Sequence, residues 1–175
     1  LQVNGRNYLL PIDAQIDSES EVEFEAVDAG RILGQMEEAG NDINIVILDA
    51  CRNNPYARSF RSSSRGLVRM EAPTGSLIAY ATAPGSVAAD GDGRNGIYTK
   101  HLIRNISKSG LKIEEIFKNV RVAVLKETGN KQTPWESSSL AGDFYFSLDR
   151  VKTKRVQQKG INKESTTDKS YELLF

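Results

Sequence analysis

The stretch Ile43-Asn-Ile-Val-Ile-Leu48, closed by Asp49-Ala-Cys51, decides how this chain folds. It is short and rich in β-branched residues, and it fits a strand buried on both faces of a parallel sheet. A second run, Ser76-Leu-Ile-Ala-Tyr-Ala-Thr82, is closed by Pro84-Gly85 and reads as another central strand. The residues between them, 52–75, form a long polar loop dense in Ser and Arg.

Upstream, Leu1-Gln-Val-Asn-Gly-Arg-Asn-Tyr-Leu-Leu-Pro11 sets Asn4-Gly5 between β-prone residues, which predicts a small hairpin because Asn-Gly readily takes positive φ. A helix is predicted next, capped by Ser20, with Val22, Ala26, Val27, Ala29, Ile32, Leu33 and Met36 at helical spacing and Gly40 as its stop. Downstream, the loop Asp90-Gly-Asp-Gly-Arg-Asn-Gly96 leads into a helix carrying Tyr98, Leu102, Ile103 and Ile106. A further helix over 113–128 puts Ile113, Ile116, Phe117, Val120 and Val124 on one side, and Phe144-Tyr-Phe-Ser-Leu148 is expected to be a closing strand.

Alternating strands and helices predict an α/β domain whose mostly parallel sheet is covered by helices on both faces. At 175 residues and 39% hydrophobic content the chain has room for one domain with a real core, over 1–148. From 149 to 175 apolar content falls, and seven basic residues stand against four acidic ones; this reads as a disordered linker. Charge balances at 23 basic and 23 acidic residues, so no global field draws the protein to nucleic acid, and no apolar run is long enough to cross a membrane. One cysteine excludes an internal disulfide and favours a reducing, cytoplasmic setting, or a thiol kept for its reactivity.

Cys51 follows directly on a strand. Ligands of open α/β sheets bind at the carboxyl ends of the strands, so the position suits a functional thiol, and the loop from 82 to 96 should open onto the same edge. The plainer alternative is a small buried hydrophobe.

Ile47-Leu-Asp-Ala-Cys-Arg-Asn-Asn-Pro55 resembles the nucleophile strand of bacterial caspase-like proteins, and shares the Ala-Cys core of the caspase signature. Tyr80-Ala-Thr-Ala-Pro-Gly85, followed by a polar loop and Gly96-Ile-Tyr-Thr-Lys-His-Leu102, is similar to the small-subunit strand, loop and helix of caspases. Leu1 to Pro11 resembles the stretch directly after the family's His-Gly pair. The three blocks occur in the family's order. They imply a caspase-like three-layer α-β-α sandwich whose N-terminal strands are missing from this chain, and a cysteine endopeptidase with Cys51 as nucleophile.

Such an enzyme needs a base to form the thiolate and to protonate the leaving amine. In caspases that histidine lies roughly 50 residues before the cysteine, which falls upstream of Leu1 here. The sole histidine, His101, sits in a predicted helix outside any family motif and reads as an ordinary helix residue. The chain is therefore expected to be a fragment, or one cleavage product that pairs with a separate N-terminal piece; a truncated inactive relative is the remaining possibility.

Aligning Pro84-Gly85 with the family puts Asp90 where caspases carry the arginine that selects aspartate, and Asp49 resembles the pocket aspartate of metacaspases. Two carboxylates imply a polypeptide substrate with basic P1, Arg or Lys. Plainer readings exist here too: Asp90-Gly91 is an ordinary turn dipeptide, and Asp49 could cap a backbone N–H. An acidic pocket would make Arg58, Arg61, Arg65 and Arg69 of the long loop candidate self-cleavage sites. No cofactor is called for, and Asp90-Gly-Asp-Gly-Arg94 lacks the spacing of a calcium loop, so no metal is expected. The rival reading is a non-catalytic caspase-like binding or scaffold module. An unrelated cysteine hydrolase on a flavodoxin-like sheet ranks last.

Overall fold

A computed structural model describes residues 1–49, 67–83, 86, 88–89, 91 and 93–148. Strands β1 (Gln2–Val3) and β2 (Arg6–Leu9) form the predicted hairpin, with Gln2 opposite Asn7 and Val3 opposite Arg6. Asn4 at φ 49° and Gly5 at φ 76° supply the two left-handed positions that match the twist of a two-residue turn.

The single helix expected from Ser20 to Met36 is instead broken. Glu19–Glu21 make a 3-10 turn, α1 (Val22–Glu25) adds one helical turn, and the chain then extends as β3 (Val27–Asp28) before α2 (Ala29–Glu38). Two local contacts explain the break. The Glu21 carboxylate accepts from the Asp17 and Ser18 N–H groups at 2.8 and 3.3 Å, so the start is fixed at Ser18 rather than Ser20. Asp28 caps α2 by accepting from Gly30 N at 2.7 Å, while Val27 and Asp28 pair with Leu9 and Tyr8 of β2. Val27, counted in the apolar period, consequently faces outward at 46% exposure, as does Phe24 at 86%. The small sheet β1-β2-β3 closes on Val3, Tyr8, Ile16 and Val22. Helix α2 ends as predicted, with Gly40 at φ 69°.

The main sheet has the order β4 (Asn44–Leu48), β5 (Ser76–Tyr80), β6 (Trp135–Ser138). β4 and β5 are parallel in register Asn44 to Ser76 through Leu48 to Tyr80. β5 is central and buried at all five positions, and its side chains alternate between two cores. Leu77, Ala79 and Ala81 face α3 (Ile97–Ile106) and α4 (Ile113–Glu127), whose Tyr98, Leu102, Ile113, Ile116, Phe117, Val120 and Val124 complete the larger core. Ile78 and Tyr80 face the other way, onto Leu33 of α2. Helices thus cover both faces of the sheet, as the α/β reading requires.

Two expectations are corrected. β4 is only half-buried from Ile45 to Leu48, because among the described residues it pairs with β5 alone and forms an edge of the sheet. The closing strand is Trp135–Ser138, antiparallel to β5, and not Phe144–Leu148. The latter segment spends its carbonyls elsewhere: Phe144 O accepts from Ile113 N and Ser147 O from Gly110 N, both at 2.9 Å. Phe144 and Phe146 meet edge to face, 5.1 Å apart, and lie against the larger core. The predicted 149–175 linker lies outside the described residues. No described helix is long and apolar enough to cross a membrane.

Candidate functional site

The carboxyl ends of β4 and β5 meet where Ala81 N donates to Leu48 O at 3.0 Å. Asp49 is the next residue after β4, and its carboxylate is exposed. It reaches across to the first turn of α3, where Thr99 Oγ1 donates to its Oδ2 at 2.5 Å. Helix α3 has Gly96 at its N-cap, with no side chain to satisfy the first N–H groups. A carboxylate brought in from another strand complements that end electrostatically. Asp49 is therefore both anchored and open to solvent.

Gln132 crosses the same edge from below. Its side-chain amide is 1% exposed; Nε2 donates to Ala81 O at 2.8 Å, and Oε1 accepts from Ala89 N at 2.9 Å. Sequence reasoning missed both Thr99 and Gln132. Pro134, placed just before a strand, was the available signal that Trp135–Ser138 enters the sheet and carries Gln132 with it.

Tyr98 is buried under this edge, and neither its hydroxyl nor Thr82 Oγ1 has a hydrogen-bond partner among the described residues. Burial pushes the Tyr98 phenol far above its ordinary value; Asp49 and Glu136 push the same way and Arg121 opposes them. Arg121 itself pairs with Glu136 and donates through Nε to Pro134 O at 2.8 Å. The phenol is a neutral group at any physiological pH, not a base.

Of the residues singled out from sequence, Cys51, Asp90, Arg58, Arg61 and Arg65 lie outside the described residues. Arg69 is described, and it is held: its guanidinium lies 4.9 Å over the Trp135 ring and 3.3 Å from Glu71. Its neighbours are tied too, Met70 N donating to Tyr80 OH at 2.9 Å and Val68 bonding in both directions to Asn7. His101 sits on α3 with 13% of its side chain exposed and pairs through Nε2 with Glu127 Oε2 at 2.7 Å, while Lys100 takes the other Glu127 oxygen. It lies on a helix, as expected, and its pairing with α4 was not foreseen. Among the described residues no group of three or more His, Cys, Asp or Glu side chains could hold a metal.

A mixed sheet between helix layers, with Asp49 at the carboxyl end of β4, defines an α/β sandwich of the kind whose ligands bind at that edge. The profile of the Caspase domain matches residues 1–145, and the chain belongs to that family of cysteine peptidases, which act on polypeptides. Among solved structures it is similar to the crystal structure of caspase-1 from Spodoptera frugiperda, with 20% identity, a TM-score of 0.40, and coverage of 47% of this chain and 38% of that one. The match thus spans well under half of that chain's length. No curated protein matches.

Proposed function

We propose that this domain is part of a cysteine endopeptidase that cleaves after Arg or Lys. The Cys51 thiolate adds to the peptide carbonyl, and the C–N bond breaks as a histidine upstream of Leu1 protonates the leaving amine. The resulting thioester is hydrolysed by a water that the same imidazole deprotonates, releasing the carboxylate product and regenerating the thiolate. No cofactor enters this sequence. The observation that carries the specificity is Asp49: an exposed carboxylate at the carboxyl end of β4, two residues before the nucleophile. Asp90 would be its partner in binding a guanidinium.

The same preference would make the long loop a self-cleavage substrate. Arg69 is the poorest of the four candidates, because a protease must draw its substrate into an extended cleft and Arg69 is held by Trp135, Glu71 and the bonds of its neighbours. Arg58, Arg61 and Arg65 remain.

The test is hydrolysis of fluorogenic peptides by the full-length protein. Cleavage after Arg and Lys that disappears in Cys51→Ala is the expected result. Cleavage after Asp would overturn the pocket assignment and leave the family intact, and no cleavage of any peptide would favour a binding or scaffold module.

A further inference from the structure

We propose that this domain self-associates through the groove between α1, β3 and α2, two copies meeting face to face about a two-fold axis. The inference is independent of the peptidase reading, because no residue at the carboxyl edge of the main sheet takes part. The groove encloses about 390 Å³ and is lined by Tyr8, Phe24, Val27 and Ile32 together with Glu23 and Arg31. Phe24 stands exposed beside it, and Val27 continues the apolar surface to its exposed cross-strand neighbour Leu9. An aromatic ring and two aliphatic side chains left in water on one face mark a surface that another polypeptide covers.

Charge identifies the occupant. Arg6 and Asp28 also border the groove, but they pair with each other at 3.4 Å, and Asp28 caps α2 besides. Glu23 and Arg31 remain: both line the groove, and among the described residues neither has an ion pair or a hydrogen bond. An acidic partner would face Glu23 and a basic one Arg31, so either would bring like charges together. A second copy avoids this. A two-fold axis carries residue i of one copy to residue j of the other and j to i, so Glu23 meets Arg31 twice. Phe24 is the residue next to Glu23, and the same rotation seats each ring in the opposite groove. The chain carries 23 basic and 23 acidic residues, so no net repulsion keeps two copies apart.

Analytical ultracentrifugation of the full-length protein tests the pairing. The expected result is a concentration-dependent rise from the monomer mass toward twice that mass, complete by about 100 μM. Phe24→Asp, at an exposed position, should weaken the association at least about tenfold. Glu23→Arg and Arg31→Glu should each abolish it, since each sets like charges opposite one another. An equimolar mixture of those two variants should nevertheless form a mixed dimer, because every charge then meets its opposite. Neither a misfolded variant nor the docking of an unrelated polypeptide can produce that restoration. A wild-type protein that stays monomeric at about 100 μM overturns the proposal and assigns the face to a different polypeptide. Association that survives Phe24→Asp overturns it equally, as does a mixture of swapped variants that stays monomeric while the wild type dimerises.

Discussion

The Asn7 side chain holds the Val68 backbone from both directions: Nδ2 donates to Val68 O at 2.7 Å and Oδ1 accepts from Val68 N at 2.9 Å. A side-chain amide here imitates a β-bridge between the N-terminal hairpin and the chain entering the main sheet, 61 residues apart in sequence. Asn7 is 2% exposed, so its polar atoms have exchanged water for these two bonds. Asn7→Ala removes both and leaves the Val68 groups short of partners. It is expected to lower stability by about 2 kcal/mol in urea unfolding, with the slope unchanged. A loss of only a few tenths would mean that solvent replaces the bridge.

The same bridge shields Arg69. Trypsin needs several residues around its target in extended form, and Val68, Arg69 and Met70 are each engaged by the fold. Cleavage after Arg69 in the native protein should be slow and should accelerate in Asn7→Ala, as followed by mass spectrometry. Equal rates in the two proteins would show that the Trp135 stack and the Tyr80 hydrogen bond suffice.

Elements whose apolar residues repeat on one face were legible in the sequence. Helix α4 buries the five residues its 3.6 period selects, and β5 alternates between two cores as a strand with period two must. Failures came where tertiary hydrogen bonds outweighed pattern. The helical period running through Val22 to Met36 hides the Asp28 cap and the pairing of β3 with β2. Trp135-Glu-Ser-Ser138 lacks the apolar alternation that marks a strand, yet it pairs antiparallel with β5. At the candidate site, the place of Asp49 directly after β4 was readable from the strand pattern. Thr99 and Gln132 were not, because each works through a partner that lies 50 or 51 residues away.

Phe117 is 2% exposed on α4, within the core formed by β5 and α3. Phe117→Ala is expected to cost about 3–5 kcal/mol, the transfer of the ring plus the cavity it leaves. Ile103, on the outer side of α3 at 52% exposure, provides the contrast: Ile103→Ala should fall within about 0.5 kcal/mol. Comparable losses at the two positions would place the core elsewhere.

Glu127 joins α4 to α3 through Lys100 and His101. Lys100 first, then His101, holds its carboxyl below the usual carboxylate value. A folded-state value below the unfolded one contributes stability above the unfolded pKa of about 4.3, and that contribution is lost as pH falls through the folded value. The stability gap between wild type and Glu127→Gln should therefore be present at about pH 5 and close in stronger acid. A gap that stays open below both carboxyl values would contradict the assignment.

Asp49 faces two demands, and one substitution separates them. As a carboxylate it complements the N-terminus of α3, and as an exposed charge it is proposed to bind a basic substrate side chain. Asn keeps the shape and an oxygen that accepts from Thr99 Oγ1, but it removes the charge. Asp49→Asn should then cost under about 1 kcal/mol in stability. It should also lower kcat/KM for Arg- and Lys-ending peptides about a hundredfold, as expected when a charge-assisted contact is reduced to a neutral one. Thr99→Val tests the opposite half: the carboxylate keeps its charge and loses its anchor, so stability should fall by about 1 kcal/mol while the preference for basic residues survives. If Asp49→Asn leaves peptide selectivity untouched and only stability declines, Asp49 is a capping group for α3, and the acidic pocket must be sought at other residues.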